Sequence, residues 1–113
     1  MESRELNRDE KLNVKLNVIY KIPSELKDVI PGYLGRRDQD IQQLKIAIEA
    51  CDFTTVGKIA HKLKGNGASY GFDHLTEIGQ RLMNASETKN KLAVIQLIQE
   101  FEEEVENIKI NIL

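Results

Sequence analysis

Hydrophobic positions recur at helical intervals through most of the chain. Within "PGYLGRRDQDIQQLKIAIEAC", Leu34, Ile41, Leu44 and Ile48 fall on one helix face, because residues three, four and seven apart share a face. Phe53, Val56, Ala60, Leu63 and Gly67 form a second stripe, Leu75, Ile78 and Leu82 a third, and Ile95, Ile98, Phe101, Val105 and Ile108 a fourth. Asp52 and Asp73 are of the type that caps a helix N-terminus, and Ser86 and Thr88 mark a break before a last helix from about Lys89. Ahead of these, "PSELKDVI" predicts a short helix with Ser24 as its cap. Pro31 breaks or re-nucleates it, since proline cannot donate to the preceding turn. Four amphipathic helices with short joints predict an all-α, up-down antiparallel four-helix bundle over residues 23–113, with the short helix capping one end.

Both ends follow a different rhythm. In "KLNVKLNVIY", Leu12, Val14, Leu16 and Val18 alternate with Lys11, Asn13, Lys15 and Asn17; in "NIKINIL", Ile108, Ile110 and Ile112 alternate with polar residues. Period two is the strand period. An even number of helices returns the chain to its starting end. The N-terminal tail, residues 1–22, is therefore expected to offer a strand at 12–20 that pairs antiparallel with one at 107–112. Such a pair can close within one chain or exchange between two, so the oligomeric state stays open. A lone two-stranded ribbon is marginal and must pack on something.

Composition narrows the function classes. With 16 basic and 18 acidic side chains in 113 residues the net charge is -2, which argues against a general nucleic-acid binder that must displace counterions. The one cysteine, Cys51, can neither staple the fold nor form a redox pair. The charged start "MESRELNRDEKLN" has no apolar run of the signal-peptide kind, and no stretch approaches the ~20 apolar residues of a membrane span. The expectation is a cytoplasmic protein with no membrane partner, and Met1 with the charged tails favours a stand-alone chain.

The segment "AHKLKGNGASYG", residues 60–71, sits oddly in a helical pattern. Glycine costs a helix interior roughly 0.8–1.0 kcal/mol relative to alanine. At about 100° per residue, His61 lies on the order of 120° from the centre of the Phe53–Gly67 stripe, so it faces outward. Gly57, Gly65 and Ala68 lie within about 40° of it and Lys64 about 60° away. Small residues around the ring leave a clearing in which another protein's surface can reach it. The plainer reading is a surface histidine with glycines serving helix packing; Gly67, on the inner stripe, fits that, and Gly71 suits a helix end. His74, Asp73 and Glu77 read as structural or solvated, and no third ligand completes a His61–His74 metal pair.

The run His61, Lys62, Leu63, Lys64, Gly65, followed by Gly71, Leu75 and Leu82, resembles the signature of histidine-containing phosphotransfer (HPt) domains. The resemblance covers roughly Pro23 to Ile108. It implies a four-helix bundle carrying a phosphoryl group between receiver domains of hybrid sensor kinases and response regulators. It makes His61 the phosphoacceptor, places Lys64 against the phosphoryl oxygens and has Gly65 admit the receiver. Gly57, Lys58, Asn66, Ala68, Glu77 and Arg81 are candidates for the docking surface. The chain departs from the family pattern at Asn66-Gly67, where serines are frequent, and at Met83, where a polar side chain often supports the histidine. A neutral imidazole is the attacking species, and histidine's ordinary pKa of about 6.5 allows it near neutrality. With no GxxxxGK[ST] and no glycine-rich ATP lid, the chain is expected to be a carrier rather than an enzyme, binding no cofactor, with Mg2+ and the aspartate supplied by the receiver. The alternatives are a helical adaptor that works without phosphorylation and the phosphoacceptor domain of a larger chemotaxis-type kinase.

Overall fold

The computed structural model describes residues 18–112. A 3₁₀ segment, Ser24–Val29, leads directly into α1, Ile30–Glu49; α2 is Phe53–Ser69, α3 Asp73–Glu87 and α4 Lys91–Ile112. Three-residue joints separate successive α-helices, so each helix turns back along its predecessor and the four make an antiparallel bundle. The predicted stripes meet inside it: Leu34, Ile41, Leu44, Val56, Leu63, Leu75, Ile78, Leu82, Phe101, Val105 and Ile108 are all buried. Ile95, expected inward, is 45% exposed. Val94 is buried beside it, so the stripe of α4 begins one residue earlier than the periodicity suggests. Ion pairs from Lys45 to Glu102 at 3.0 Å and from Lys109 to Asp38 at 2.7 Å join α1 to α4 across the outside.

The helix starts follow local chemistry with two corrections. Asp52 caps α2, accepting from the Thr55 N–H at 3.1 Å and from the Thr55 hydroxyl at 2.6 Å. Pro31 lies in the first turn of α1, where its missing N–H costs no hydrogen bond. Ser24 does not cap the 3₁₀ segment; Pro23 holds that position, and the Ser24 hydroxyl donates to Glu25. Asp73 is the first residue of α3 rather than its cap, which is Phe72, and its carboxylate there complements the positive end of the helix. Asn90 caps α4, its Oδ1 accepting from the Ala93 N–H at 3.1 Å.

The expected C-terminal strand is helix: α4 runs without interruption through 107–112. Ile108 and Ile112 satisfy both periods, because a spacing of four fits a helix as well as a strand. Extending an existing helix adds one hydrogen bond per residue, whereas a new two-stranded ribbon must be nucleated. Asn111 reinforces the last turn by donating to the Asn107 carbonyl at 2.7 Å. Of the expected N-terminal strand, 12–17 lies outside the described residues and 18–20 is not a strand. The two ends nevertheless meet. The Val18 N–H donates to Asn111 Oδ1 at 3.0 Å, and the Tyr20 hydroxyl to Glu104 at 3.2 Å. Tyr20 also stands edge-on to Phe72 at 5.9 Å.

Candidate functional site

His61 lies on the exposed face of α2, with Lys58, Lys62, Lys64, Gly65 and Ala68 also exposed. The outward direction follows from the buried Val56, Ala60, Leu63 and Gly67 that anchor the other side of the helix. A Cβ at Gly65 would meet nothing within 4 Å, so the surface beyond His61 is open at that position. Gly57 is different. It is half-buried, and a Cβ there would stand 3.1 Å from Ser86 Oγ. Its small size serves the seam between α2 and α3 rather than a clearing.

That seam has a readable register. Gly57 faces Ser86, Ala60 and Lys64 face Gly79, and Gly67 faces Thr76. At Gly79 an added Cβ would stand 2.6 Å from Lys64 N, and at Gly67 one would stand 2.7 Å from Thr76 N. Both glycines therefore let backbone meet backbone. His61 stands level with the stretch of α3 between Gly79 and Ser86. On the solvent side of that stretch, at about 100° per residue, lie Gln80 and Asn84, whose amides bond to each other at 3.0 Å. Met83 is half-buried against the core.

The other candidates are distributed around this centre. Asn66 is half-buried and accepts a 2.6 Å hydrogen bond from the Tyr33 hydroxyl, which ties the last turns of α2 to α1. Tyr33 stacks on Tyr70 at 4.1 Å and lies under the Arg37 guanidinium at 4.5 Å. Arg37 Nε in turn lies 2.8 Å from Asp40. Burial raises the Tyr33 hydroxyl above its ordinary pKa and raises the Asp40 carboxyl against the opposing pull of Arg37. Asn66 is thus held as a strut. Glu77 is exposed on α3. Arg81 donates to both oxygens of Glu100 at 3.0 and 3.1 Å, so it is turned toward α4 and is not gathered around His61. Sequence reasoning passed over Thr76, Gly79 and Gln80. The signal was a small residue, Gly79, in the middle of an otherwise ordinary helical stripe.

A second polar cluster lies away from His61. His74 places Nε2 3.2 Å from Glu100 and Nδ1 3.3 Å from the buried Glu104, whose other oxygen accepts from Tyr20. The Glu104 hydrogen bond, with help from Glu100, pushes the His74 pKa up to about 9 against the opposing effect of burial. Among the described residues no group of three or more histidine, cysteine or acidic side chains is arranged to hold a metal ion, and no helix is long and apolar enough to cross a membrane.

The family model for the Hpt domain matches residues 33–110, well over half of the 113-residue chain, and contains His61 and all of α2 and α3. No curated protein and no solved structure matches the chain.

Proposed function

The chain belongs to the Hpt domain family, whose members serve histidine phosphotransfer in two-component phosphorelays, and on that premise we propose that His61 is its phosphoacceptor. An exposed imidazole with an ammonium one turn on and open space at Gly65 is the observation that carries this reading. The lone pair of one ring nitrogen forms the N–P bond as the P–O bond of a receiver's aspartyl phosphate breaks. The aspartate carboxylate leaves with the electron pair. The reverse step delivers the phosphoryl group to an aspartate of a second receiver. Lys64, at i+3, is at neighbour distance on the helix surface. Its charge meets the negative charge spread over the phosphoryl oxygens, which is where such transfers are stabilised.

Hpt domains are phosphocarrier modules, and this chain is read as one, with no ATP site of its own. Mg2+ and the reacting aspartate are assigned to the receiver. Lys58, Gly65 and Ala68 form the docking rim beside His61, and Glu77 lies further round α3. Transient contacts of this kind fall at the small end of interface sizes, below about 1,200 Å² in total. Cytoplasmic receivers of a hybrid kinase and a response regulator are the partner class.

The test is phosphoryl uptake from phosphorylated receivers in the presence of Mg2+, with His61→Gln as control. Acid-labile, alkali-stable label on the wild type and none on the variant is the expected result. Receiver binding without label on either protein would move the chain to the adaptor reading.

A further inference from the structure

The turn of α2 that carries Lys64 is gripped from α3. The Thr76 hydroxyl donates to the Lys64 carbonyl oxygen at 2.8 Å. An added Cβ at Gly79 would stand 2.6 Å from Lys64 N and 2.9 Å from both Lys64 Cα and Ala60 O. One at Gly67 would stand 2.7 Å from both Thr76 N and Thr76 Oγ1. The three small residues interlock. Gly67 leaves the notch that receives Thr76, Thr76 reaches the Lys64 carbonyl, and Gly79 lays the α3 backbone on the Lys64 amide.

The glycines alone would satisfy close packing. The hydroxyl adds a direction. A carbonyl inside an α-helix already accepts the amide four residues on, so Lys64 does not need Thr76 to satisfy its backbone. A helical threonine also has a nearer acceptor in the carbonyl four residues back on its own helix. Here the hydroxyl crosses to the neighbouring helix instead. The carbonyl it meets belongs to the residue whose ammonium must reach a phosphoryl group on His61.

We propose that Thr76 is a positioning residue for phosphotransfer: bonded to the Lys64 carbonyl from α3, and admitted by Gly67 and Gly79, it fixes the roll of α2 at the Lys64–His61 turn. This rests on the roles given to His61 and Lys64 above. The lysine side chain is long, so a small rotation of its Cα–Cβ direction is magnified at the ammonium. Transfer rates depend steeply on such placement.

Single-turnover uptake from a phosphorylated receiver with Mg2+ is compared in wild type, Thr76→Val, Thr76→Ser, Lys64→Met and the Thr76→Val/Lys64→Met double variant. The His61 ring resonances are recorded by NMR for the same proteins without any receiver. Thr76→Val keeps the shape and removes the donor. It is expected to slow transfer about three- to tenfold, the worth of one neutral hydrogen bond, with the apparent affinity for receiver unchanged. Thr76→Ser restores the rate. In the Lys64→Met background Thr76→Val slows transfer by a smaller factor, because the part of its effect that acts through the Lys64 ammonium is gone. The His61 resonances shift in Thr76→Val and return in Thr76→Ser. A wild-type rate in Thr76→Val, or an equal slowing in the Lys64→Met background, overturns the proposal. If the wild type takes no label while the resonance shift is present, the relay reading falls and the positioning contact stands. If neither label nor shift is seen, both fall.

Discussion

At the scale of single residues, one amino-acid type does three jobs within one segment. Gly65 faces open space, Gly67 faces the α3 backbone, and Gly71 has a backbone conformation that suits glycine. Substitution should separate the first two. Gly65→Leu adds a side chain whose Cβ meets nothing, and leucine exceeds glycine in helix propensity by several tenths of a kcal/mol. Its melting temperature should hold or rise while phosphoryl uptake falls, because the bulk stands on the proposed receiver-docking face. Gly67→Ala puts a methyl 2.7 Å from a backbone nitrogen that cannot swing aside, and overpacking of that kind costs about 1–3 kcal/mol. Thermal melts beside uptake assays check both. A Gly65→Leu protein that takes up label at the wild-type rate would remove Gly65 from the docking face. The outward direction of His61 was legible in the sequence, since it depends only on helical period and an apolar stripe. The use of each glycine was not: Gly57 and Gly65 both lie within about 40° of His61 on α2, one on either side of it, yet only Gly57 has Ser86 opposite it. What stands opposite is a property of the pair of helices.

At the scale of elements, all four helices were readable because their apolar stripes are long and the joints short. The strand expected at 107–112 is helix because alternation over a few residues is compatible with either period, and the bonds of a helix already under way settle the matter there. The polar contacts between elements were less visible still. His74 reads in sequence as an ordinary residue near a helix start, yet it joins α3 to α4 by lying between Glu100 and Glu104. Arg81 also faces Glu100, and Tyr20 and Asn107 face Glu104. With its pKa raised from 6.5 to about 9 in the folded protein, His74 binds its proton more tightly folded than unfolded. Its stabilising contribution is complete below about pH 6.5 and is lost as pH rises through 9. The side chain is 42% exposed, so solvent screening holds the contribution to about 1 kcal/mol or less. Wild type should therefore lose stability between pH 7 and roughly pH 10 more steeply than His74→Gln, read as denaturation midpoints across that range. Parallel slopes for the two proteins would show that His74 is not held in this way.

At the scale of the whole molecule, the proposed phosphoacceptor and the closure of the fold lie at different levels along α2. His61 and Lys64 stand on its exposed middle, while the segment from Val18 to Ile22 packs beyond its C-terminal end. Ten residues separate His61 from Gly71, and the helix covers all but the last two, about 12 Å of rise. Gly71 has φ of +86°, and an added Cβ would stand 2.6 Å from the Lys21 carbonyl oxygen. Two costs then fall on Gly71→Ala together. The left-handed backbone is unfavourable for alanine by roughly 1–2 kcal/mol, and the methyl pushes against the backbone of the N-terminal segment. That segment is tied down by Tyr20, whose hydroxyl is kept protonated by burial and by the neighbouring Glu104 carboxylate, and so remains a donor. Displacing Lys21 should loosen Tyr20 from both Glu104 and Phe72. The melting temperature should fall, and Tyr20 fluorescence or ring resonances should report greater exposure. Phosphoryl uptake below the melting transition should stay at the wild-type rate, because the interlock of Gly67, Thr76 and Gly79 lies between the disturbance and His61. A Gly71→Ala protein that stays folded but transfers slowly would show instead that the N-terminal segment is coupled to the site through α2.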